Sequence, residues 1–207
     1  MHQQTVHAWL ADLASEAPTP GGGAAAAMNA AVGAALVSMV CNLTIGKPRY
    51  AAHESTMIEV RHQADQLRQQ ALELAEQDAA AFGRVMAAYR LPRQTEQEQQ
   101  TRNQAIQDAL VEAADVPLRT AAVAAEVIGL ADRILEGANV NVISDVAVAA
   151  ASARAALSAA VINVEVNLAG ITDADRKAKL TDALVKYQGV EADADRIIAA
   201  VRSRINQ

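Results

Sequence analysis

Residues 24–45 read AAAAMNAAVGAALVSMVCNLTI, a run of 22 residues without a charge. The run is rich in alanine, which is the best helix former. It follows the sequence PTPGGG at residues 18–23, whose two prolines and three glycines cannot continue a helix. Gly46 and Pro48 lie just beyond its end. The pattern predicts a long apolar helix that begins directly after a glycine-rich loop.

This run is also long enough to cross a membrane, since a span needs about 20 apolar residues. Its composition argues against a membrane helix, because alanine and glycine contribute little transfer energy and Asn29, Ser38 and Asn42 interrupt it. We therefore predict a buried helix in a soluble bundle, with no membrane as a partner. Residues 1–8 show no basic segment followed by an apolar core, which predicts a cytoplasmic protein without a signal peptide.

The composition of the whole chain narrows the class of protein. Of 207 residues 49 are alanine and only 2% are aromatic, whereas strands favour aromatic and β-branched residues. We therefore expect an all-α protein. The net charge of −6 argues against nucleic acid as a partner. One cysteine excludes an internal disulfide, and four scattered histidines make a metal site improbable.

Helical spacing continues along the rest of the chain. Pro117 predicts a break or a kink near Asp115. Ser144 predicts an N-cap, and Thr172 with Asp175 predicts the start of a final charged helix. Thr95 and Glu98 form a capping box. The other helices are expected at about residues 5–15, 52–90, 95–115, 116–137 and 144–168.

No linker or repeat divides the sequence, so we expect residues 1–207 to form a single-domain bundle of about seven helices. Two of these helices, at 24–45 and 144–168, are Ala-rich and nearly uncharged. Both need burial on almost all sides, which a domain of this size rarely provides. We therefore predict a homodimer.

The glycine loop is the first candidate for chemistry. A helix N-terminus presents unpaired N–H groups, and glycine lets an anionic ligand approach them closely. The alternative is a tight turn before a close-packed helix. Spacing alone does not separate the two.

Asp78 is the second candidate. It lies in the long helix on an apolar stripe, where a carboxylate is costly unless it is paired. A buried carboxylate can act as a general acid or base, or it can serve as a structural partner. The apolar members of the stripe are Met57, Val60, Ala64, Leu67, Ala71, Leu74, Phe82, Val85 and Tyr89.

Further polar residues stand near the apolar helices. Asn163 and Asn167 lie one turn apart on the second of them, and interhelical hydrogen bonding is the alternative to a ligand role. Asp145 begins the same helix, where capping of the helix N-terminus is the alternative to a ligand role. Lys47 and Tyr50 follow the first apolar helix, where a cation and a phenol can face a site or lie exposed to solvent.

Taken together, several segments resemble the formiminotransferase-cyclodeaminase C-terminal family, and the stand-alone bacterial cyclohydrolases within it most of all. The resemblance implies an all-helical dimer that binds folate in a cleft at the subunit interface. It also implies hydrolysis of 5,10-methenyltetrahydrofolate to 10-formyltetrahydrofolate without a metal or organic cofactor. The segments are residues 17–24, 39–50, 78–82, 90–93, 116–118, 139–145 and 163–168.

The resemblance also implies roles for individual residues. Asp78 matches the acid–base residue of the family, and the segment from Pro20 through Gly21 and Gly22 to Gly23 matches part of the folate pocket. Lys47 is expected to polarise water or orient the intermediate. The remaining residues expected to bind substrate are Tyr50, Asn139, Asp145, Asn163 and Asn167.

Two alternatives remain. Formiminotetrahydrofolate cyclodeaminases of the same family use a related folate and release ammonia, but this chain has no room for a fused formiminotransferase. A helical dimer that binds folate without turnover is the second alternative.

Overall fold

The computed structural model describes residues 4–206, and in this range the chain is helical with no strand. The all-α prediction is confirmed. Two short 3-10 helices, Pro48–His53 and Val140–Val142, precede α3 and α5. The α-helices are α1 (Val6–Leu13), α2 (Gly22–Asn42), α3 (Glu54–Tyr89), α4 (Glu96–Ile134), α5 (Ile143–Gly170), α6 (Ala174–Val185) and α7 (Val190–Ile205).

Helices α2 to α5 form the centre of the bundle, and α7 packs against α5. Their contacts are made largely by alanine and valine. A Cβ atom at Gly33 of α2 would lie 3.1 Å from the Ala149 carbonyl oxygen of α5 and 3.2 Å from Cγ1 of Val127 on α4. Small side chains therefore let the backbones of α2 and α5 approach closely.

The two apolar helices are not covered on every side. Most of α2 is buried, as predicted for a core helix, but Val32 is half exposed. On α5, Val148 and Ile162 are half exposed and Val166 is 68% exposed. By length and composition alone, α2 and the segment Val140–Gly170 pass the test for a membrane span. A single copy of the chain therefore leaves an apolar surface along both helices.

Pro117 does not break its helix, so a break near Asp115 is wrong, while a kink there stays a prediction. Helix α4 continues through Pro117, whose neighbour Val116 is buried with it in the core. Packing on these neighbours offsets the missing hydrogen bond, which a helix in isolation would not tolerate. The capping box predicted at Thr95 is confirmed, since its Oγ1 accepts from the Glu98 N–H at 3.2 Å.

Two predicted helix starts and one predicted helix are corrected. Helix α5 begins at Ile143 after a cap residue without a side-chain hydrogen bond, so Ser144 is not the N-cap. Asp173, rather than Thr172, caps α6 by accepting from the Arg176 N–H at 3.0 Å. The final helix is interrupted at Gly189, whose φ of 88° lies in the left-handed region that favours glycine.

Candidate active site

The glycine loop and Asp78 meet at the N-terminus of α2. The cap residue, Gly21, has no side chain to bond the first N–H groups of the helix. Asp78 of α3 supplies the missing acceptor, because its Oδ2 accepts from the Ala24 N–H at 3.0 Å. A Cβ at Gly23 would lie 2.0 Å from Asp78 Oδ1. Glycine at position 23 therefore admits the carboxylate to the end of α2.

The surroundings of Asp78 alter its acidity. The residue is half-buried on the inward side of α3. Burial raises the pKa of its carboxyl group, and the hydrogen bond from Ala24 opposes part of this rise. The carboxylate is thus held in place and binds a proton more readily than a solvated aspartate. These properties suit a general acid and base.

Asp78 lines an open cavity of about 510 Å³, a size that holds a small organic ligand. Pro18 and Thr19 also line it, whereas Pro20, which was predicted to bind substrate, does not. The cavity brings together these residues that the sequence singled out: Gly21, Gly22, Gly23, Asp78, Asn163 and Asn167.

The wall of the cavity that α3 forms beyond Asp78 is apolar and partly aromatic. Phe82, Met86 and Tyr89 follow Asp78 on the same face of α3, about one, two and three turns further on. Phe82 is 38% and Tyr89 46% exposed, so their assignment to the core stripe is wrong. Their helical spacing from Asp78, in a chain with so few aromatic residues, was the signal for this role.

Two asparagines of α5 form the polar side of the cavity. Asn163 Nδ2 donates to the Ala159 carbonyl oxygen at 2.8 Å. Asn167 Nδ2 donates to the carbonyl oxygens of Asn163, at 2.9 Å, and of Ala113 on α4, at 3.2 Å. Asn167 therefore makes an interhelical hydrogen bond, which was the alternative to a ligand role. No donor within residues 4–206 reaches Oδ1 of either asparagine. Each of the two side chains therefore offers this oxygen to a ligand as a hydrogen-bond acceptor.

The other predicted site residues lie at the far end of α2. This helix has 21 residues and is about 30 Å long. Lys47 is exposed beyond its C-terminus, and Asp145 is half-buried in the first turn of α5. Within one chain, Lys47 is therefore not brought to Asp78.

Tyr50 and Asn139 form a hydrogen-bonded cluster at that end. Tyr50 Oη donates to Asn139 Oδ1 at 3.3 Å, and Asn139 Nδ2 donates to the Leu43 carbonyl oxygen at 2.9 Å. The backbone N–H of Asn139 donates to Thr44 Oγ1 at 3.1 Å. These bonds fasten the loop before α5 to the end of α2. Substrate binding by either residue stays a prediction.

A larger cavity, of about 840 Å³, lies between α5, α6 and α7. Several of its polar residues are paired with one another: Arg154 Nε lies 3.0 Å from Asp195 Oδ1, and Ser158 donates to Glu191. None of the predicted site residues lines it. We therefore place the candidate active site in the smaller cavity, where the unusual carboxylate lies.

Two other kinds of reactive group were sought in the described residues: metal-binding clusters and a reactive cysteine. Residues 4–206 hold no cluster of three or more histidine, cysteine, aspartate or glutamate side chains placed to bind a metal ion. Cys41 is buried, and burial raises the pKa of its thiol to about 11. A thiol of that acidity is a poor nucleophile at neutral pH.

Comparison with known proteins shows the family and the fold. Residues 5–186 match the model of the formiminotransferase-cyclodeaminase family. Methenyltetrahydrofolate cyclohydrolase of Methylorubrum extorquens is 45% identical over 98% of both chains. Formimidoyltransferase-cyclodeaminase of Rattus norvegicus is 32% identical over 82% of this chain and 31% of its own. The crystal structure of formiminotetrahydrofolate cyclodeaminase from Thermotoga maritima aligns with a TM-score of 0.88 and 28% identity, covering 99% of this chain and 98% of that one.

Proposed function

The chain belongs to the formiminotransferase-cyclodeaminase family, and we propose that it is a methenyltetrahydrofolate cyclohydrolase, an enzyme of one-carbon metabolism that forms 10-formyltetrahydrofolate. The similarity to the Methylorubrum enzyme over 98% of both chains supports this activity. The observation that carries it is a half-buried carboxylate, Asp78, in the wall of a cavity at the N-terminus of α2.

The reaction needs water, a base and an acid. In the substrate a cationic amidinium carbon bridges N5 and N10. Water adds to this carbon, and Asp78 takes one of its protons. The bond from the carbon to N5 then breaks as N5 receives that proton from Asp78, and the carbonyl of the 10-formyl group forms as the hydroxyl proton leaves to solvent. One proton is released overall, and no metal or cofactor takes part in the proposal.

The walls of the cavity support a folate as the ligand. Phe82 and Tyr89 offer flat apolar surfaces on which an aromatic ring system can stack. The N–H groups of Gly22 and Gly23 open α2 and find no acceptor within the described residues. Together with the helix dipole they suit a developing oxyanion or a ligand carbonyl.

We further propose that the active site is shared between two copies of the chain. Lys47 and Asp78 lie at opposite ends of α2, about 30 Å apart, so one chain alone does not supply both. If two copies pack with their α2 helices antiparallel, Lys47 of the partner subunit approaches the Asp78 cavity. The proposed role of Lys47 is to orient the attacking water or the intermediate.

The exposed apolar surface supports a homodimer of this kind. Val32 of α2 and the residues Val148, Ile162 and Val166 of α5 carry no charge and are half exposed or more. Ser144, Ala151 and Ala155 continue the exposed line on α5 with small side chains. Exposed uncharged side chains along two adjoining helices are typical of a subunit interface.

The first experiment follows the near-ultraviolet band of methenyltetrahydrofolate in a buffer where it hydrolyses slowly. The proposal expects decay that depends on the protein and yields 10-formyltetrahydrofolate. Asp78→Asn is expected to fold and to lose most of kcat, because it keeps an acceptor for Ala24 but no basic oxygen. Glu73→Gln removes an exposed charge from the same helix and is expected to match wild type. Full turnover by Asp78→Asn would refute the assignment.

A second experiment tests the shared site. Asp78→Asn and Lys47→Ala are each prepared as homodimers and then as a co-expressed mixture. If one site takes Asp78 from one subunit and Lys47 from the other, mixed dimers carry one intact site, and the mixture recovers about a quarter of wild-type activity. A mixture no more active than its parents would refute a shared site.

A cyclodeaminase activity is the second candidate, favoured by the structural likeness to the Thermotoga maritima enzyme. The same cavity would then take formiminotetrahydrofolate and release ammonia. An ammonia assay with that substrate distinguishes the two, and binding of folate without either reaction would indicate a non-catalytic protein. We propose a cytoplasmic setting, in keeping with a single buried cysteine that remains a thiol.

A further inference from the structure

Pro117 lies inside α4 and has no N–H group, so it frees one backbone acceptor. In a regular helix the N–H of residue 117 would donate to the carbonyl oxygen of Ala113. Ala113 is almost buried and lines the cavity that contains Asp78. A buried carbonyl without a donor is costly, so this oxygen needs a partner from elsewhere.

Asn167 of α5 is that partner. Its Nδ2 donates one hydrogen to the Ala113 carbonyl oxygen, at 3.2 Å, and the other to the Asn163 carbonyl oxygen, at 2.9 Å. Both partners are pure acceptors, so the nitrogen of the amide must face them. The orientation of the Asn167 side chain is therefore fixed by chemistry, and Oδ1 is the atom left for a ligand.

We propose that Pro117 is a positioning residue, which holds Asn167 as a hydrogen-bond acceptor for an N–H donor of the substrate. This inference rests on the proposed function, because a reduced pteridine ring carries such donors on its ring nitrogens and its amino group. With both amide hydrogens engaged, Asn167 offers no donor, and a ligand with a carbonyl at this position is disfavoured. Pro117 thereby acts on specificity without contact with the ligand.

The proposal is tested by restoring the missing N–H. Pro117→Ala returns a donor to Ala113, which then no longer needs Asn167, so the amide keeps only its bond to the Asn163 carbonyl oxygen and its orientation loosens. We expect KM for methenyltetrahydrofolate to rise about three- to tenfold, the loss of about one hydrogen bond, while kcat and its pH profile stay near wild type. The helix keeps its packing, because the substitution removes a helix breaker.

Gly129→Ala is the matched control. It also stiffens α4, a Cβ there meets nothing within 4 Å, and it leaves the Ala113 carbonyl bonded to Asn167 alone. Its KM is expected to match wild type. If Pro117→Ala and Gly129→Ala give the same KM, the positioning role is overturned while the hydrolase assignment stands. An inactive wild-type protein would instead overturn the proposed function.

Asn167→Ala in both backgrounds completes the cycle. If Pro117 acts through Asn167, the substitution Pro117→Ala raises KM in the wild-type background and adds nothing to Asn167→Ala. Equal increases in both backgrounds would show that Pro117 acts by another route and would overturn the proposal. Thermal unfolding of the same four proteins measures what the hydrogen bond from Asn167 to the Ala113 carbonyl oxygen contributes to stability. Loss of Asn167 is expected to cost less stability when residue 117 supplies a donor.

Discussion

Replacement of Gly23 by alanine tests the geometry of the active site by the addition of one carbon atom. The new Cβ would lie 2.0 Å from Asp78 Oδ1 and 2.8 Å from Oδ2. Ordinary contact begins at 3.4 Å, so the carboxylate must move by about 1.4 Å. The carboxylate sits at the end of a flexible side chain, so it moves while the helices stay. Its 3.0 Å hydrogen bond from Ala24 is then lost.

Gly23→Ala is expected to separate activity from stability. Loss of the cap at Ala24 costs about 1 kcal/mol, and replacement of glycine within the first turn of α2 returns up to about 1 kcal/mol. The melting temperature therefore changes by only a few degrees. A catalytic group displaced by more than 1 Å loses about 10²-fold in rate, so kcat is expected to fall by that factor.

The assay is the decay of the methenyltetrahydrofolate band, measured beside thermal unfolding of the same preparation. Gly83→Ala is the control: it lies on α3 near Asp78, and a Cβ there meets nothing within 4 Å. It is expected to keep wild-type kcat and to gain stability. Wild-type kcat in Gly23→Ala would refute the reasoning, because the displaced carboxylate would then have no part in the reaction.

Three other predictions follow from the same structure. Burial raises the pKa of Asp78 in the folded state, so the stability of the protein falls as pH rises from the ordinary pKa of an aspartate to the raised one. Asp78→Asn is therefore expected to melt at a higher temperature than wild type at pH 7. The difference in melting temperature is expected to shrink on acidification. Cys41, with its pKa raised to about 11, is expected to react with a thiol reagent at pH 8 only after denaturation. Val148→Lys places a charge on the exposed apolar surface of α5 and is expected to give a monomer by light scattering, with loss of activity; an active dimer would contradict the placement of Val148 in the subunit interface.

The fold was predictable because helix signals in this sequence are local and strong. Glycine, proline and capping residues marked the loop at residues 18–23 and the start of α4 at Thr95. The wrong predictions concern sequence signals that tertiary contacts override, as at Pro117, or signals that are easily missed, as at Gly189. Pro117 continues its helix because it is buried in the core with Val116, and Gly189 ends a helix in a stretch whose charge pattern looks continuous.

The candidate active site was half predictable. Asp78 stood out because a charge on an apolar helical stripe is costly, and the glycine loop because of its composition. That stripe also held Phe82 and Tyr89, and spacing cannot tell a core face from the face of a cavity. The distance between Lys47 and Asp78 follows from how the helices pack, which periodicity does not report.

The alanine-rich interface between α2 and its neighbours reverses the usual pattern of mutational harm. In most protein cores the damaging substitutions remove atoms and leave cavities. At Ala30 or Ala34, both completely buried, only one methyl group can be removed, whereas nearly every other substitution adds atoms to a space that has none to spare. A saturation scan of α2 would therefore rank residues by volume, with glycine and serine tolerated before valine and valine before leucine.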